Sequence, residues 1–327
     1  MKEITILLAV RNGEQWIENA ILSIKNQTFK EYEFLIIDDG STDLTKKIIL
    51  KYKEADSRIR YIYKNHSGLT KSLNYGLNKA SGKWIARLDA DDLALPERLY
   101  NQLNFIKDNK DTVLLGSNFL LKNNKAIIYS SNLPNSNSKL VYRLRTMKGF
   151  FPHSSAFFLR DVAIKVGGYR SSFIKSQDHD LWLRLSERGK IHCLNEKLTI
   201  VSEHNRRISN LSSDYSQQVY ASAAIVCHYF RVKNGTDKEI YFENSGFRIL
   251  LKLLESYLVK KDFFKLFEFK EEIKSIFSKK KQEKNTIKSI YKVLTHWKLL
   301  YKLLKFYYFG SKLPFKFYKI LRSQKKL

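Results

Sequence analysis

Cysteine is scarce in this sequence, with only Cys193 and Cys227 among 327 residues. The two lack metal-ligand spacing and make no disulfide framework, so a disulfide-stapled secreted fold is excluded and a reducing compartment fits. No apolar run approaches the roughly 18 residues of a membrane-crossing helix. The N-terminus, MKEITILLAV, has no basic stretch, long apolar core and small-residue cleavage site in succession, so no signal peptide is expected. Neither GxGxxG nor GxxxxGK[ST] occurs, which removes the phosphate cradles of dinucleotide dehydrogenases and P-loop nucleotidases. There is no internal repeat and no long Gly/Ser linker. Acids run out toward the end of the chain, and none follows Glu283. From Leu251 onward, 21 Lys and Arg stand against 6 Asp and Glu, a surplus of 15 within a formal net charge of +27. Such a balance favours anionic partners.

What is present is an ordinary apolar fraction, 43%, enough for a real core. The length exceeds what one core usually holds, so one large domain with an appendage is expected. ITILLAV (4–10) and FLII (34–37) are continuous apolar runs, as in strands buried on both faces. Between them Trp16, Ile17, Ala20, Ile21 and Ile24 recur at helical spacing over 14–26. Ser41 or Thr42 is placed to cap a helix running to about Tyr52. IRYIY (59–63), a helix over 70–80 and WIARL (84–88) follow. The alternation implies a parallel sheet with helices on both faces. Beyond Pro96 the pattern is mixed. A helix to about Lys107 precedes strands near 113–116, 126–129 and 155–159, a helix from SQDHD through Arg188, and strands near 191–194 and 198–202. From about Leu211 onward the chain reads as increasingly basic helices.

Two acidic clusters fall at strand ends, where open parallel sheets bind ligands: Asp38-Asp39, and Asp89, Asp91 and Asp92 in RLDADDLALP. DGS after Asp38 is also ordinary turn chemistry. For DADD the structural alternative is weaker, because a helix cap uses one carboxylate and three neighbours repel. A divalent cation removes that repulsion, and hard oxygen ligands suit Mg2+ or Mn2+.

The order ITILLAVRNGEQWIENAILSIKNQTFKEYEFLIIDDGSTD, then NHSGLTKSLNYGLNKASGKWIARLDADDLALPERL, FFPHSSAFFLRDVAIKVGGY and SQDHDLWLRLSERGKIHCLNEKLTI resembles the family 2 glycosyltransferases over roughly residues 1–210. The resemblance implies an α/β fold of GT-A type, a Rossmann-like mixed sheet flanked by helices. Residues 1–95 bind nucleotide, 96–210 bind acceptor, and 211–327 form a helical, basic C-terminal region. It also implies an inverting, metal-dependent transfer from a nucleotide-diphosphate sugar, a UDP-hexose or UDP-N-acetylhexosamine, to a hydroxyl of a glycan or lipid-linked acceptor in surface polysaccharide or lipopolysaccharide synthesis. Ala9 then lies along the nucleotide, Asp39 receives the base N–H, and Lys71 is a basic nucleotide contact. Arg11 stands where the family often has Tyr. Asp91 ligates Mn2+ or Mg2+, and Asp89 touches ribose or joins the metal. Asp178 matches the catalytic base, against a structural reading of the same residue as a helix cap. His204 and Ser209 match a segment near the diphosphate. Ser202 stands where relatives often carry Arg, so Arg206 or Arg207 substitutes. His153 either lines the acceptor pocket or packs as a structural histidine.

The last segment, LTHWKLLYKLLKFYYFGSKLPFKFYKILRSQKKL, sets Lys298, Lys302 and Lys305 on one helical face and Lys312, Lys316 and Lys319 on another. Basic amphipathic helices with aromatics bind anionic membrane surfaces, which places the enzyme in the cytoplasm, peripheral on the inner face of the membrane. The alternative is packing on the catalytic domain or on a second copy, a homo-oligomer. Two rival functions are a basic nucleic-acid-binding protein, for which no binding module is present, and a catalytically silent GT-A scaffold, against which Asp39, Asp91 and Asp178 argue.

Overall fold

The computed structural model describes residues 2–204, 216–237 and Leu251. Contacts divide the chain into a unit of residues 1–225 and a unit of 226–327. The basic tail, the 205–215 segment with Arg206, Arg207 and Ser209, and most of the second unit lie outside the described residues.

The apolar runs become the centre of the sheet. Every residue of β1 (Ile4–Val10) and β2 (Tyr32–Asp39) is buried. They pair in parallel with each other, with β3 (Ile59–Lys64) outside β2 and β4 (Trp84–Arg87) beside β1. α1 (Ile17–Lys25) buries the predicted stripe, Ile17, Ala20, Ile21 and Ile24. α2 (Thr45–Ala55) and α3 (Leu69–Lys79) complete the alternation of strand and helix. The sheet then turns mixed. β8 (Phe157–Leu159) is antiparallel to β4 and to β6 (Thr112–Lys122), while β6 runs parallel to β9 (Lys190–Ser202). β5 (Leu93–Ala94) closes on β9, and β7 (Ile127–Ser130) is an antiparallel edge on β6. The order is β3-β2-β1-β4-β8-β6-β9-β5 with β7 off the path. α4 (Arg98–Asp108), α5 (Asn137–Thr146), α6 (Arg160–Lys165) and α7 (Gln177–Leu185) fill the connections, and α8 (Ser216–Asn234) follows. Among the described residues no helix is long and apolar enough to cross a membrane. Both cysteines are buried.

Local expectations fail where a distant partner intervenes. Neither Ser41 nor Thr42 caps α2. Ser41 Oγ accepts the Asn12 amide at 3.0 Å and Thr42 donates to Asn12 Oδ1 at 2.9 Å, so both are spent locking the β2 loop to the β1 loop. The helix starts later, with Thr45 N donating to Asp43 Oδ1 at 3.0 Å. The two strands expected near 191–194 and 198–202 are one strand, β9, whose pairing shifts register near Asn118 of β6. The helix expected through Arg188 ends at Leu185.

Gly82 tests how tightly β1 and β4 are joined. A Cβ there would meet Thr5 N at 2.4 Å and the Ile4 carbonyl carbon at 2.6 Å, backbone atoms that cannot swing away. Gly82→Ala is expected to cost about 2 kcal/mol or more, read as a lower urea midpoint with unchanged slope.

Candidate active site

The cleft lies at the carboxyl ends of β1, β2 and β4 and has a volume of about 280 Å³. Ala9, Arg11, Asp39, Asp89, Asp91 and His204 all line it, joined by Trp16, His66 and Ser72. Reciprocal bonds between the first two loops shape its rim: Gly13 N to Thr45 Oγ1, 2.8 Å; Glu14 N to Asp43 Oδ2, 3.1 Å; Leu44 N to Glu14 Oε2, 2.9 Å. These hold Asn12 at φ 52°, so Arg11 is presented, exposed, at the mouth. Lys71 is exposed on α3 and does not line the cleft, whereas its helix neighbours Leu69 and Ser72 do.

The two adjacent aspartates at the end of β2 have separate duties. Asp38 is the turn-former, accepting Ser41 N at 2.9 Å and the Tyr61 hydroxyl at 2.8 Å. Asp39 faces the cleft and is surrounded by donors from the 64–72 segment. Lys64 Nζ reaches it at 2.5 Å, Ser72 Oγ at 2.8 Å, Ser67 N at 3.0 Å, Gly68 N at 2.8 Å and His66 Nδ1 at 2.8 Å. Burial works to raise Asp39, but the bonds from Lys64, Ser72 and the two amides outweigh it and hold the carboxyl well below its ordinary range. Asp39 is therefore a fixed anion. The residues that organise it carry no linear motif; Lys64, not Lys71, is the cation that reaches this carboxylate.

In the second cluster the three carboxylates also separate. Asp89 is bonded by the buried guanidinium of Arg87 and by Ser154 Oγ at 3.0 Å. Asp92 is buried, bonded by Ser154 Oγ and by Ser202 N at 2.9 Å, which ties the turn to the end of β9. Burial, then the charges of Asp91 and Asp89, push Asp92 up to about 8. Beneath them Arg98, fully buried, donates to the carbonyls of Arg87 at 2.8 Å and Ala156 at 3.2 Å. Asp91 has a different partner, His204 Nε2 at 2.9 Å, and the His204 ring stacks on Trp16 at 4.7 Å. Burial and the charge of Asp89 raise Asp91 above the usual carboxylate range.

Among the described residues no three His, Cys, Asp or Glu side chains gather into a closed metal cage. The donor set fits an open seat instead. Asp91 offers carboxylate oxygen and His204 imidazole nitrogen, and a cation would favour the ionised form of Asp91 that burial and the charge of Asp89 oppose.

Asp178 is half-buried in the first turn of α7, with its Oδ1 accepting the His179 amide at 2.8 Å. It is not the cap, since that position belongs to Ser176, at φ 51°. Ser176 Oγ donates to Gln217 O at 2.9 Å, and Lys175 Nζ bonds Ser216 Oγ at 2.5 Å, so the start of α8 pins this loop. Burial raises Asp178, the amide of His179 opposes that, and the charge of Asp89 adds to it, so the two carboxylates feel one another. His153 is a packed residue: its Nε2 meets the Tyr169 hydroxyl at 2.8 Å, its ring lies edge-on to Trp182, and burial drives it down to about 3, so it stays neutral.

A model of the Glycosyl transferase family 2 matches residues 5–167. The O-antigen biosynthesis glycosyltransferase WbnJ of Escherichia coli is 32% identical over 226 residues, covering 68% of this chain and 85% of its own. The chain belongs to the family 2 glycosyltransferases. Among solved structures, residues 1–349 of Staphylococcus aureus TarS in complex with UDP-GlcNAc superpose with a TM-score of 0.58 at 18% identity, over 69% of this glycosyltransferase and 66% of that TarS chain. The mannosyltransferase PcManGT of Pyrobaculum calidifontis, in complex with GDP-Man and Mn2+, gives 0.51 at 13% identity over 95% and 88%. The glycosyltransferase thus spans just under two thirds of the solved TarS chain, and its GT-A architecture is common to both.

Proposed function

We propose that this glycosyltransferase moves a hexose or N-acetylhexosamine from UDP to a hydroxyl of a glycan or lipid-linked acceptor, with inversion at C1, in the building of a surface polysaccharide. The observation that carries this reading is the single cleft in which Asp39, Asp89, Asp91 and His204 converge, with Asp178 close enough to Asp89 for their charges to interact. The O-antigen relative supports the acceptor class, and the UDP-GlcNAc complex of TarS supports the donor.

Asp39, held anionic by Lys64 and the Ser67 and Gly68 amides, faces the nucleobase, and Ala9 and Arg11 run beside the nucleotide. Asp91 and His204 would hold the divalent ion, and the imidazole in that pair, with the Mn2+ of PcManGT, leans the choice toward manganese. When bound, the ion supplies positive charge against the diphosphate as it leaves. Asp89, neutralised by Arg87, serves ribose rather than the ion. An acceptor hydroxyl is a weak nucleophile at neutral pH, so Asp178 takes its proton as the oxygen attacks C1 from the face opposite the leaving diphosphate. The transition state has the oxocarbenium character of glycosyl transfer generally.

A screen of UDP-, dTDP- and GDP-sugars for hydrolysis or transfer, with and without Mn2+ and with EDTA as control, tests the proposal. A UDP-sugar is expected to be consumed only with metal. Consumption of none, or equal turnover in EDTA, overturns the reading.

A further inference from the structure

We infer that the β6–β7 hairpin of the catalytic unit is a docking element for an anionic lipid bilayer, distinct from the basic C-terminal tail. It goes beyond the proposed reaction and does not depend on which donor is used.

Acidic residues are absent from Thr112 through Arg160, a span that carries seven Lys and Arg. Elsewhere in the first half acids and bases interleave. The charge is accompanied by exposed apolar surface of an unusual kind. All four residues of β7 are exposed, with Ile127 at 55%, Ile128 at 51% and Tyr129 at 52%. β7 joins β6 through a bulge around Ile128, since Tyr129 stands opposite Leu121 and Ile127 opposite the next residue, Lys122, so strict alternation of faces does not hold across the three residues. The Tyr129 ring packs tilted against Phe119 at 5.9 Å, yet about half the surface of each of the three residues stays open. Solitary exposed apolar side chains need no explanation, but three in sequence on a sheet edge mark a binding surface or an aggregation hazard.

The hairpin is also well built. Asn123 N donates to Ala126 O at 3.0 Å, and Asn123 Oδ1 accepts the amides of Lys125 at 2.9 Å and Ala126 at 2.8 Å, closing the connection tightly. Exposed Lys122 and Lys125 flank the apolar residues. Lysines beside isoleucines and a tyrosine match the boundary of an anionic bilayer, with ammonium groups at the headgroups and apolar side chains just beneath. A second copy would bring a hairpin of the same positive charge to this edge, whereas an anionic bilayer complements it, so the charge favours the bilayer as the occupant.

Its place in the sheet gives this surface a use. Lys122 pairs with Ser202 of β9, and Glu203 N bonds the Lys122 carbonyl at 2.8 Å. The next residue is His204, in the cleft. The hairpin therefore leaves the sheet at the end that bears the active site, and a bilayer held there would bring a lipid-linked hydroxyl to the same side as Asp91.

The test uses the full chain with Ile128→Cys labelled by an environment-sensitive fluorophore; Cys193 and Cys227 are buried and leave the new thiol to react. Vesicles of phosphatidylcholine, with and without phosphatidylglycerol, are the probe, and no donor or acceptor is added, so failure of the proposed reaction and failure of docking are read separately. A blue shift with anionic vesicles only, reversed by high salt, is expected. Removing two cations in Lys122→Gln/Lys125→Gln should weaken partition roughly 25-fold, about fivefold for each. An unshifted label on protein that nevertheless sediments with anionic vesicles assigns binding to other parts of the chain and overturns the inference. A shift that grows with protein concentration in the absence of lipid, with dimers in sedimentation, overturns it in favour of a second copy.

Discussion

Asp178→Asn is expected to lower transfer by about 10²- to 10⁴-fold while metal-dependent donor binding persists, the loss that follows when a positioned carboxylate no longer accepts a proton. The amide is isosteric and its oxygen can still accept the His179 amide, so the first turn of α7 should survive. The pH dependence separates this role from a structural one. Burial and Asp89 raise Asp178 above the ordinary carboxylate range. A base works only when ionised, so the acidic limb of kcat/KM should lie above the range of an exposed aspartate. Asp89→Asn removes a like charge and should move the limb downward. Linkage gives a second sign to check. A carboxyl raised in the folded state favours folding in its protonated form, and that contribution fades as pH rises past the unfolded value. Asp178→Asn should therefore unfold at higher urea than the wild type at neutral pH. Near-normal transfer by this variant, or a limb that Asp89→Asn leaves in place, removes Asp178 from the role of base.

Asp91→Asn carries the other large effect. Charge stabilisation by a bound divalent ion is worth several kcal/mol, so loss of its carboxylate ligand should reduce transfer on the order of 100-fold to 1000-fold. In contrast to Asp178→Asn, it should also abolish the gain in donor affinity that Mn2+ confers, as EDTA does for the wild type. Calorimetry of UDP binding with and without Mn2+ reads this without any turnover. His204→Ala should fall in the same class with a smaller loss, because Asp91 would remain. If Asp91→Asn retains the manganese-dependent gain in affinity, the seat is elsewhere. In the wild type the cation should also raise thermal stability, more so at higher pH, since Asp91 is raised and therefore ionised at a cost that binding offsets.

The legible part of the site was its strand ends. Arg11, Asp89 and Asp91 follow buried strands, while Ala9 and Asp39 are among the last residues of β1 and β2 themselves, so each run that buries a strand also carries its end to the cleft. Lys71, a nucleotide contact by the family resemblance or else a solvated helix-face lysine, is exposed outside the cleft, because α3 turns Leu69 and Ser72 inward instead. Arg87 and Arg98 read as ordinary charged residues. In the fold they are buried cations beneath an acidic turn, and nothing local marks them as such. Ser154 had no signal at all, though it bonds both Asp89 and Asp92.

By itself the sequence determined the alternation of buried strands and amphipathic helices, the acidic turn after the fourth strand and the basic excess of the tail, since each depends on neighbours within a few residues along the chain. Only the tertiary structure decided that His204, 113 residues away, lies against Asp91, that Lys64 and His66 close around Asp39, and that β7 remains an exposed edge. Those contacts follow from the order in which strands line up across the sheet, and strand order is chosen by the packing energy of the whole core, which no local pattern of residues encodes.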